Sequence, residues 1–406
     1  MAQSRQVDAM TANDAKKPLQ GIRVIELGVW IAAPAACGIM ADWGADVIKV
    51  EPPTGDPQRQ AFRALGLPEG RMAPFELDNR GKRSVVLNLR EPDDLATMFK
   101  LLEGADMFVT NVRMDALERL GLDAESVRTR FPKLIYGRMT GYGSVGPDRD
   151  RAGYDTGAFW ARSGTPSEIV PPGEAPPGIP PAFGDHVTGM GMVSGLMAAL
   201  FDRTRTGNGC VVDGSLLRTG IYALSSDLTM QQNFGWSIKK QPRDSASGPL
   251  TNCYQAKDGK WIWLLGVEAH RHWPKLVAAL QRPDLAEDPR FRTTIDQVKN
   301  RRALISEIDK EIVKHDRSFW EDKFDEVDLW WAPVQTLEEV LVDQQAIAAG
   351  AFVEIPGKEG APAIQSIASP ISFENARVEP GGPSPELGEH TESVLSELGL
   401  PVRLTS

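Results

Sequence analysis

The segment "AFGDHVTGMGM" (182–192) places a short acid, Asp185, after a glycine and at the mouth of an apolar run that continues to Phe201. Three roles fit a carboxylate so placed. As a helix N-cap it accepts hydrogen bonds from the next turn's amides, a contribution of ~1 kcal/mol. As a general base it takes a proton from a substrate. As a nucleophile it attacks an activated acyl group and forms a covalent intermediate. A helix beginning beside it favours the charged form, and the local sequence alone makes the cap the default. Basic residues supply a second chemical feature. Arg80, Lys82, Arg83 and Arg90 flank one strand-like run, and Arg113 and Arg119 follow another. Open α/β sheets bind ligands at strand ends, so this clustering suits a phosphate-bearing ligand; plain surface solubility is the alternative.

The elements around these residues alternate. "IRVIELG" (22–28), "IAAPAACGIMADWGA" (31–45) and "DVIKVEPP" (46–53) read as strand, helix and strand, the βαβ unit of a parallel sheet. The rhythm continues through a strand at 83–89, a helix at 92–105, a strand at 106–112, a helix at 123–132 and a strand at 133–140. The first part of the chain is therefore expected to be a doubly wound, Rossmann-like α/β layer. A Pro- and Gly-rich loop (167–185) precedes a buried helix expected over Val187–Asp202, and 209–228 adds a strand and a helix. Beyond it, "KKQPRDSASGPLTN" (239–252) reads as a linker or mobile loop, and Asp258-Gly259 between two β runs signals a hairpin. The expected organisation is a flexible arm (1–18), a large α/β domain (19–228), a smaller inserted α+β domain (229–330) and a return to the large domain (331–406).

Other chemistries find little support. "GYGSVG" (141–146) formally matches a dinucleotide fingerprint, but Pro147 and a charged loop follow where a helix must begin. Walker A, HExxH and GxSxG motifs are missing, and five scattered histidines offer no metal site. A net charge of −10 argues against a nucleic-acid surface. Cys37, Cys210 and Cys253 lie far apart and read as core thiols of a reduced compartment. The polar N-terminus lacks a signal-peptide core, and no apolar run reaches the ~20 residues of a membrane span. A cytoplasmic protein without a membrane segment is expected.

Longer stretches carry a resemblance. "LQGIRVIELGVWIAAPAACGIMADWGADVIKVEPPTGDPQR" (19–59) resembles the N-terminal signature of the family III CoA-transferases, the CaiB/BaiF family. "NRGKRSVVLNLR" (79–90), "TNVRMDALERLGL" (110–122), "LIYGRMTGYGSVGP" (134–147), "RTGNGCVVDGSLL" (205–217) and "LGEHTESVLSELGL" (387–400) agree in order and spacing. The resemblance covers essentially the whole chain. It implies that Asp185 is a nucleophile, which forms an anhydride with a donor acyl group and then an aspartyl-CoA thioester. An aspartate of ordinary pKa, ~3.9, is expected to be ionised without tuning, and water must be kept from the anhydride.

The resemblance also implies contacts to coenzyme A, which enters as acyl-CoA substrate rather than as a tightly bound cofactor. Ile31 and Ala32 match the adenine-side segment, and Leu87, Asn88, Leu89 and Arg90 the strand-end segment. Asn111, Val112 and Arg113, with Arg119, match the next, and Arg151, Ala152, Gly153 and Tyr154 the segment near the reacting end. Pro52 stands where some members carry a phosphate-binding arginine, and residues 244–249 are a candidate lid. The related α-methylacyl-CoA racemases carry a histidine where this chain has Tyr154, and tyrosine, with its pKa of ~10, is a poor neutral-pH base. A racemase-like isomerase and a non-catalytic CoA-ester-binding protein are the alternatives. The small partner is a carboxylic acid, and the branch resembled acts on 2-hydroxy acids and enoates. Phe159 and Trp160 would line an apolar acyl pocket or belong to the core. An interlocked homodimer is implied as well.

Overall fold

Apolar residues run almost unbroken through the strands of the first half, the pattern of a sheet covered on both faces. The computed structural model describes residues 17–61, 72–358, 362–376 and 378–401. Most of the arm expected at 1–18 lies outside the described residues. β1 (Arg23–Leu27), α1 (Ala32–Asp42), β2 (Asp46–Glu51), α2 (Ala73–Asn79), β3 (Arg83–Val86) and α3 (Pro92–Glu103) open the chain. β4 (Met107–Thr110), α4 (Met114–Leu120), α5 (Ala124–Arg130) and β5 (Ile135–Thr140) follow. After a π-helical turn at Thr156–Ala161 and the single turn α6 (Thr165–Glu168) come α7 (Phe183–Thr206), β6 (Val211–Ser215), α8 (Leu216–Ala223) and α9 (Ser225–Phe234).

The six strands pair in the order β3-β2-β1-β4-β5-β6, all parallel. This is the doubly wound order, with its switch point between β1 and β4. Alternate strand residues feed two cores. Val24, Val47 and Val109 pack with α1 and α7 on one face. Ile25, Ile48 and Phe108 pack with α3, α4 and α5 on the other. α1 and α7 approach closely because Gly189 leaves room for the Ala32 carbonyl, 3.2 Å from where a Cβ would sit.

Charges are buried among these strands. Glu26 of β1 meets Lys49 of β2 at 2.8 Å and Lys82 at 2.6 Å, all three side chains being inaccessible to solvent. Lys49 also meets Asp56 at 2.9 Å. Burial would raise the Glu26 pKa, but the two ammonium groups outweigh it and hold the carboxyl below its ordinary value.

The chain divides into two compact units. The larger comprises residues 1–165, 178–229 and 348–406; the smaller comprises 166–177 and 230–347. The smaller has its own antiparallel sheet of β7 (Cys253–Gln255), β8 (Trp261–Leu264) and β9 (Trp331–Val334). β7 and β8 form the hairpin expected around Asp258-Gly259. α10 (Ala269–Leu280), α11 (Pro283–Glu287), α12 (Thr294–Lys299), α13 (Arg301–Ile312) and α14 (Arg317–Glu326) accompany them, then α15 (Leu337–Val342) and α16 (Gln344–Ala348). Leu276, Ile308, Trp320 and Phe324 lie in its core. The expected return at 331 is corrected by this sheet: Trp263 of β8 pairs with Ala332 of β9, so the small unit continues to Ile347. β10 (Phe352–Ile355), β11 (Ile364–Ile367) and α17 (Thr391–Glu397) belong to the larger unit. Among the described residues no helix is long and apolar enough to cross a membrane.

Candidate active site

A cavity of about 420 Å³ opens at the carboxyl ends of β1, β4 and β5, over the switch point. The turn after β1 contributes Val29, Trp30 and Ala32, and the turn after β4 contributes Asn111, Val112 and Arg113. Met139, Thr140 and Gly141 end β5 at its wall, and residues 149–154 form another side. Asp185 and Thr188 enter from α7. The sequence expectation thus converges here for Ala32, Asn111, Val112, Arg113, Arg151, Ala152, Gly153, Tyr154 and Asp185. Ile31, Leu87, Asn88, Leu89, Arg90 and Arg119 lie outside the lining.

Local packing fixes these segments. Asn111 clasps Val29, accepting from its amide at 2.9 Å and donating to its carbonyl at 2.8 Å, so the two strand-end turns are tied together. Gly153 lies against Tyr142, where a Cβ would come within 2.8 Å of the ring. Gly184, just before Asp185, sits on Phe159; a Cβ there would be 2.6 Å from that ring.

Asp185 is not the N-cap. That position is Ala182, with φ 64°, and α7 begins at Phe183, four residues earlier than expected. Asp185 therefore occupies the first helical turn, and its carboxylate accepts no hydrogen bond among the described residues. Nor is its acidity ordinary. Burial chiefly, with the nearby charge of Asp155, pushes the carboxyl up to about 7; His186 opposes the shift and Asp78 adds to it. Asp155 spends one oxygen on the Thr156 amide at 2.7 Å, and its other oxygen is buried without a partner. His186 turns away to donate from Nε2 to Asp78 Oδ1 at 3.1 Å, an orientation consistent with adjacent helical residues facing apart. Burial would lower the imidazole pKa, but the ion pair with Asp78 holds it above its usual value.

Phe159 and Trp160 are core residues, 2% and 9% exposed, and pack with Ala158 and Leu216 rather than lining the cavity. The aromatic rings in the wall are Trp30 and Tyr154, edge to face with centroids 5.9 Å apart. Sequence reasoning passed over Trp30, although a tryptophan at the end of a parallel strand is itself a pointer to a ligand site. Pro52 is exposed and accepts from the Gly55 amide at 2.8 Å. The nearby guanidinium, Arg59, is committed to Glu51 at 2.6 Å. Within the smaller unit, Ser245 accepts from Arg301 at 2.8 Å, and Pro249 and Leu250 are buried. "GYGSVG" forms bends with no helix start, as its sequence suggests.

The sheet is doubly wound, and its switch-point cavity, where open α/β sheets bind ligands, holds Arg113, Arg151 and the unbonded Asp185 carboxylate. The chain belongs to CoA-transferase family III, whose profile matches residues 19–391, and it is a transferase acting on CoA thioesters. It is 32% identical over 383 residues to (R)-2-hydroxy-4-methylpentanoate CoA-transferase of Clostridioides difficile, covering 94% of this chain and 95% of that protein. It is 33% identical over 387 residues to cinnamoyl-CoA:phenyllactate CoA-transferase of Clostridium sporogenes, with 93% of each covered. The crystal structure of a CaiB/BaiF family protein from Brucella suis superposes with a TM-score of 0.83 at 30% identity, covering 94% of this chain and all of that one.

Proposed function

We propose that the enzyme moves CoA from an acyl-CoA donor to a carboxylic acid through covalent intermediates on Asp185. The observation that carries this reading is the unbonded, half-buried Asp185 carboxylate in the switch-point cavity. Its ionised oxygen attacks the donor thioester carbonyl, the C–S bond breaks, and a mixed anhydride and CoA thiolate result. The thiolate then attacks the aspartyl carbonyl of the anhydride, releasing the donor acid and leaving an aspartyl-CoA thioester. The acceptor carboxylate attacks that thioester and forms a second anhydride, releasing the thiolate. Thiolate attack on the acceptor's carbonyl releases the new acyl-CoA and restores Asp185. Each step exchanges acyl groups between oxygen and sulfur, so no proton need be moved.

Arg113 and Arg151 supply positive charge to the phosphates at the cavity. Arg90 lies just beyond the end of β3, two strands from β1 and therefore about 10 Å across the sheet edge. An extended CoA spans that distance and would reach Arg90, whereas Leu87 is buried in the core. The names of the two relatives support a 2-hydroxy acid or an enoate as acceptor. A homodimer is the working assembly, supported by α9, which buries none of its residues within the chain, and by Phe201, Ile221 and Tyr222, exposed at 66%, 43% and 79%.

The test is trapping. Incubation with an acyl-CoA and hydroxylamine, followed by mass spectrometry, is expected to place a hydroxamate on Asp185. Asp185→Ala should lose transfer by at least a thousandfold. An unmodified Asp185 together with an active Asp185→Ala variant would refute the mechanism. A panel of 2-hydroxy acids, enoates and dicarboxylates then identifies the acceptor.

A further inference from the structure

Among the described residues four that are not glycine adopt positive φ; one, Trp30 (φ 62°), stands in the cavity wall, and another, Ala182, caps the helix that bears Asp185. A bulky side chain in the left-handed region is unusual, because its Cβ crowds the backbone carbonyl. Such a conformation persists only where the surroundings over-determine it. Here they do. The Trp30 amide donates to Asp56 Oδ1 at 3.0 Å, and Asp56 is buried and ion-paired with Lys49 at 2.9 Å. One residue earlier, Asn111 holds both backbone groups of Val29. The turn is thus pinned from β2 and β4 at once, and its indole meets the Tyr154 ring edge to face.

The place of this indole relative to the reactive acid follows from the helix crossing. Ala32, two residues after Trp30, touches Gly189, and Asp185 lies one helical turn, about 6 Å, before Gly189. Met139 and Leu216 add apolar wall to the same cavity. An aromatic pair held by a strained backbone thus lines the same cavity as Asp185. We propose that Trp30, paired with Tyr154, is the residue that selects the acyl group, favouring flat aryl or enoyl chains that lie against the indole. This inference rests on the reading that Asp185 receives the acyl group in this cavity.

The test is ligand binding to protein carrying Asp185→Asn, so that no ligand is consumed. Calorimetry would give dissociation constants for cinnamoyl-CoA, acetyl-CoA and free CoA, with Trp30 intact, with Trp30→Gly and with Trp30→Phe. Glycine takes φ 62° freely, so Trp30→Gly removes the ring without blocking the turn; an unchanged circular dichroism spectrum checks its fold. The expected result is a loss of preference for cinnamoyl-CoA over acetyl-CoA of about two- to tenfold in Trp30→Gly, the range an aromatic pairing yields. Free CoA should bind as before, and Trp30→Phe should keep most of the preference. An equal loss for all three ligands would make the indole a platform for the CoA body, and unchanged ratios would deny it any role; either overturns the proposal. Failure of the Asp185 reading shows separately, as missing hydroxamate on the otherwise unaltered enzyme, because the binding ratios are measured whether or not transfer occurs.

Discussion

On the proposed role of Asp185 as nucleophile, its carboxyl must be both sheltered and charged. Burial and the Asp155 carboxylate move its pKa up to about 7, and a protonated acid does not attack a thioester. The rate kcat/KM should therefore climb tenfold per pH unit below about 7 and level off above it, in a steady-state pH profile. Asp155→Asn removes one raising charge and should shift that acid limb to lower pH, while leaving part of the shift because burial is its larger cause. The same displacement costs stability. The folded protein holds a proton that the unfolded chain releases near pH 4, so Asp185 destabilises the fold progressively as pH rises from about 4 to about 7. Asp185→Asn should accordingly gain urea resistance over the unmodified protein across that window, reaching on the order of 2 kcal/mol above it once partial exposure is discounted. The sequence displayed the acid but not its surroundings. Asp78, more than a hundred residues away, and Asp155, thirty away, influence Asp185 only after folding, so an ordinary acidity was the natural expectation.

At the scale of elements, the start of α7 aims the acid, and Gly184 allows that start to seat on Phe159. Gly184→Ala puts a methyl 2.6 Å from the ring. The helix must shift or Phe159 must leave its core rotamer, at a cost of about 1–3 kcal/mol. Transfer should fall more than tenfold while the denaturation midpoint drops only modestly, since sub-ångström placement matters more to the reaction than to the fold. The charges under β1 make the opposite prediction. Glu26→Ala leaves Lys49 and Lys82 buried without their shared carboxylate, which should cost about 3–5 kcal/mol in a urea titration. Much of this layer was legible: the β/α rhythm, the parallel sheet and the hairpin all follow from side-chain periodicity. The helix start was missed because Ala182 adopts a left-handed conformation that alanine seldom shows, and propensity places no boundary there. β9 was given to the wrong domain because "WAPV" carries no mark of which sheet edge it joins. Trp30 was missed for a related reason, since its strain is set by Asp56 and Asn111 rather than by its neighbours in sequence.

At the scale of the whole molecule, a mismatch remains between what the chain hides and what it leaves bare. An α-helix of ordinary length gains most of its stability from an apolar face packed against something. α9 runs for ten residues without one buried side chain. Its neighbour α8 leaves Ile221 and Tyr222 exposed, and α7 leaves Met190 and Phe201 exposed. Three consecutive helices thus leave apolar residues uncovered, and clustered exposed apolar residues mark interaction surfaces. A second copy is the occupant that every molecule in solution has available, and a twofold interface lets the same patch cover itself. Sedimentation equilibrium at micromolar concentration should therefore return about twice the 44.4 kDa chain mass. Phe201→Asp combined with Tyr222→Asp places charge on that surface away from the cavity-lining residues and should shift the equilibrium toward monomer. If α9 depends on the partner, dissociation should also lower the helical circular dichroism signal. A single-chain mass at all concentrations, with full helicity, would mean that these three helices stand without a partner.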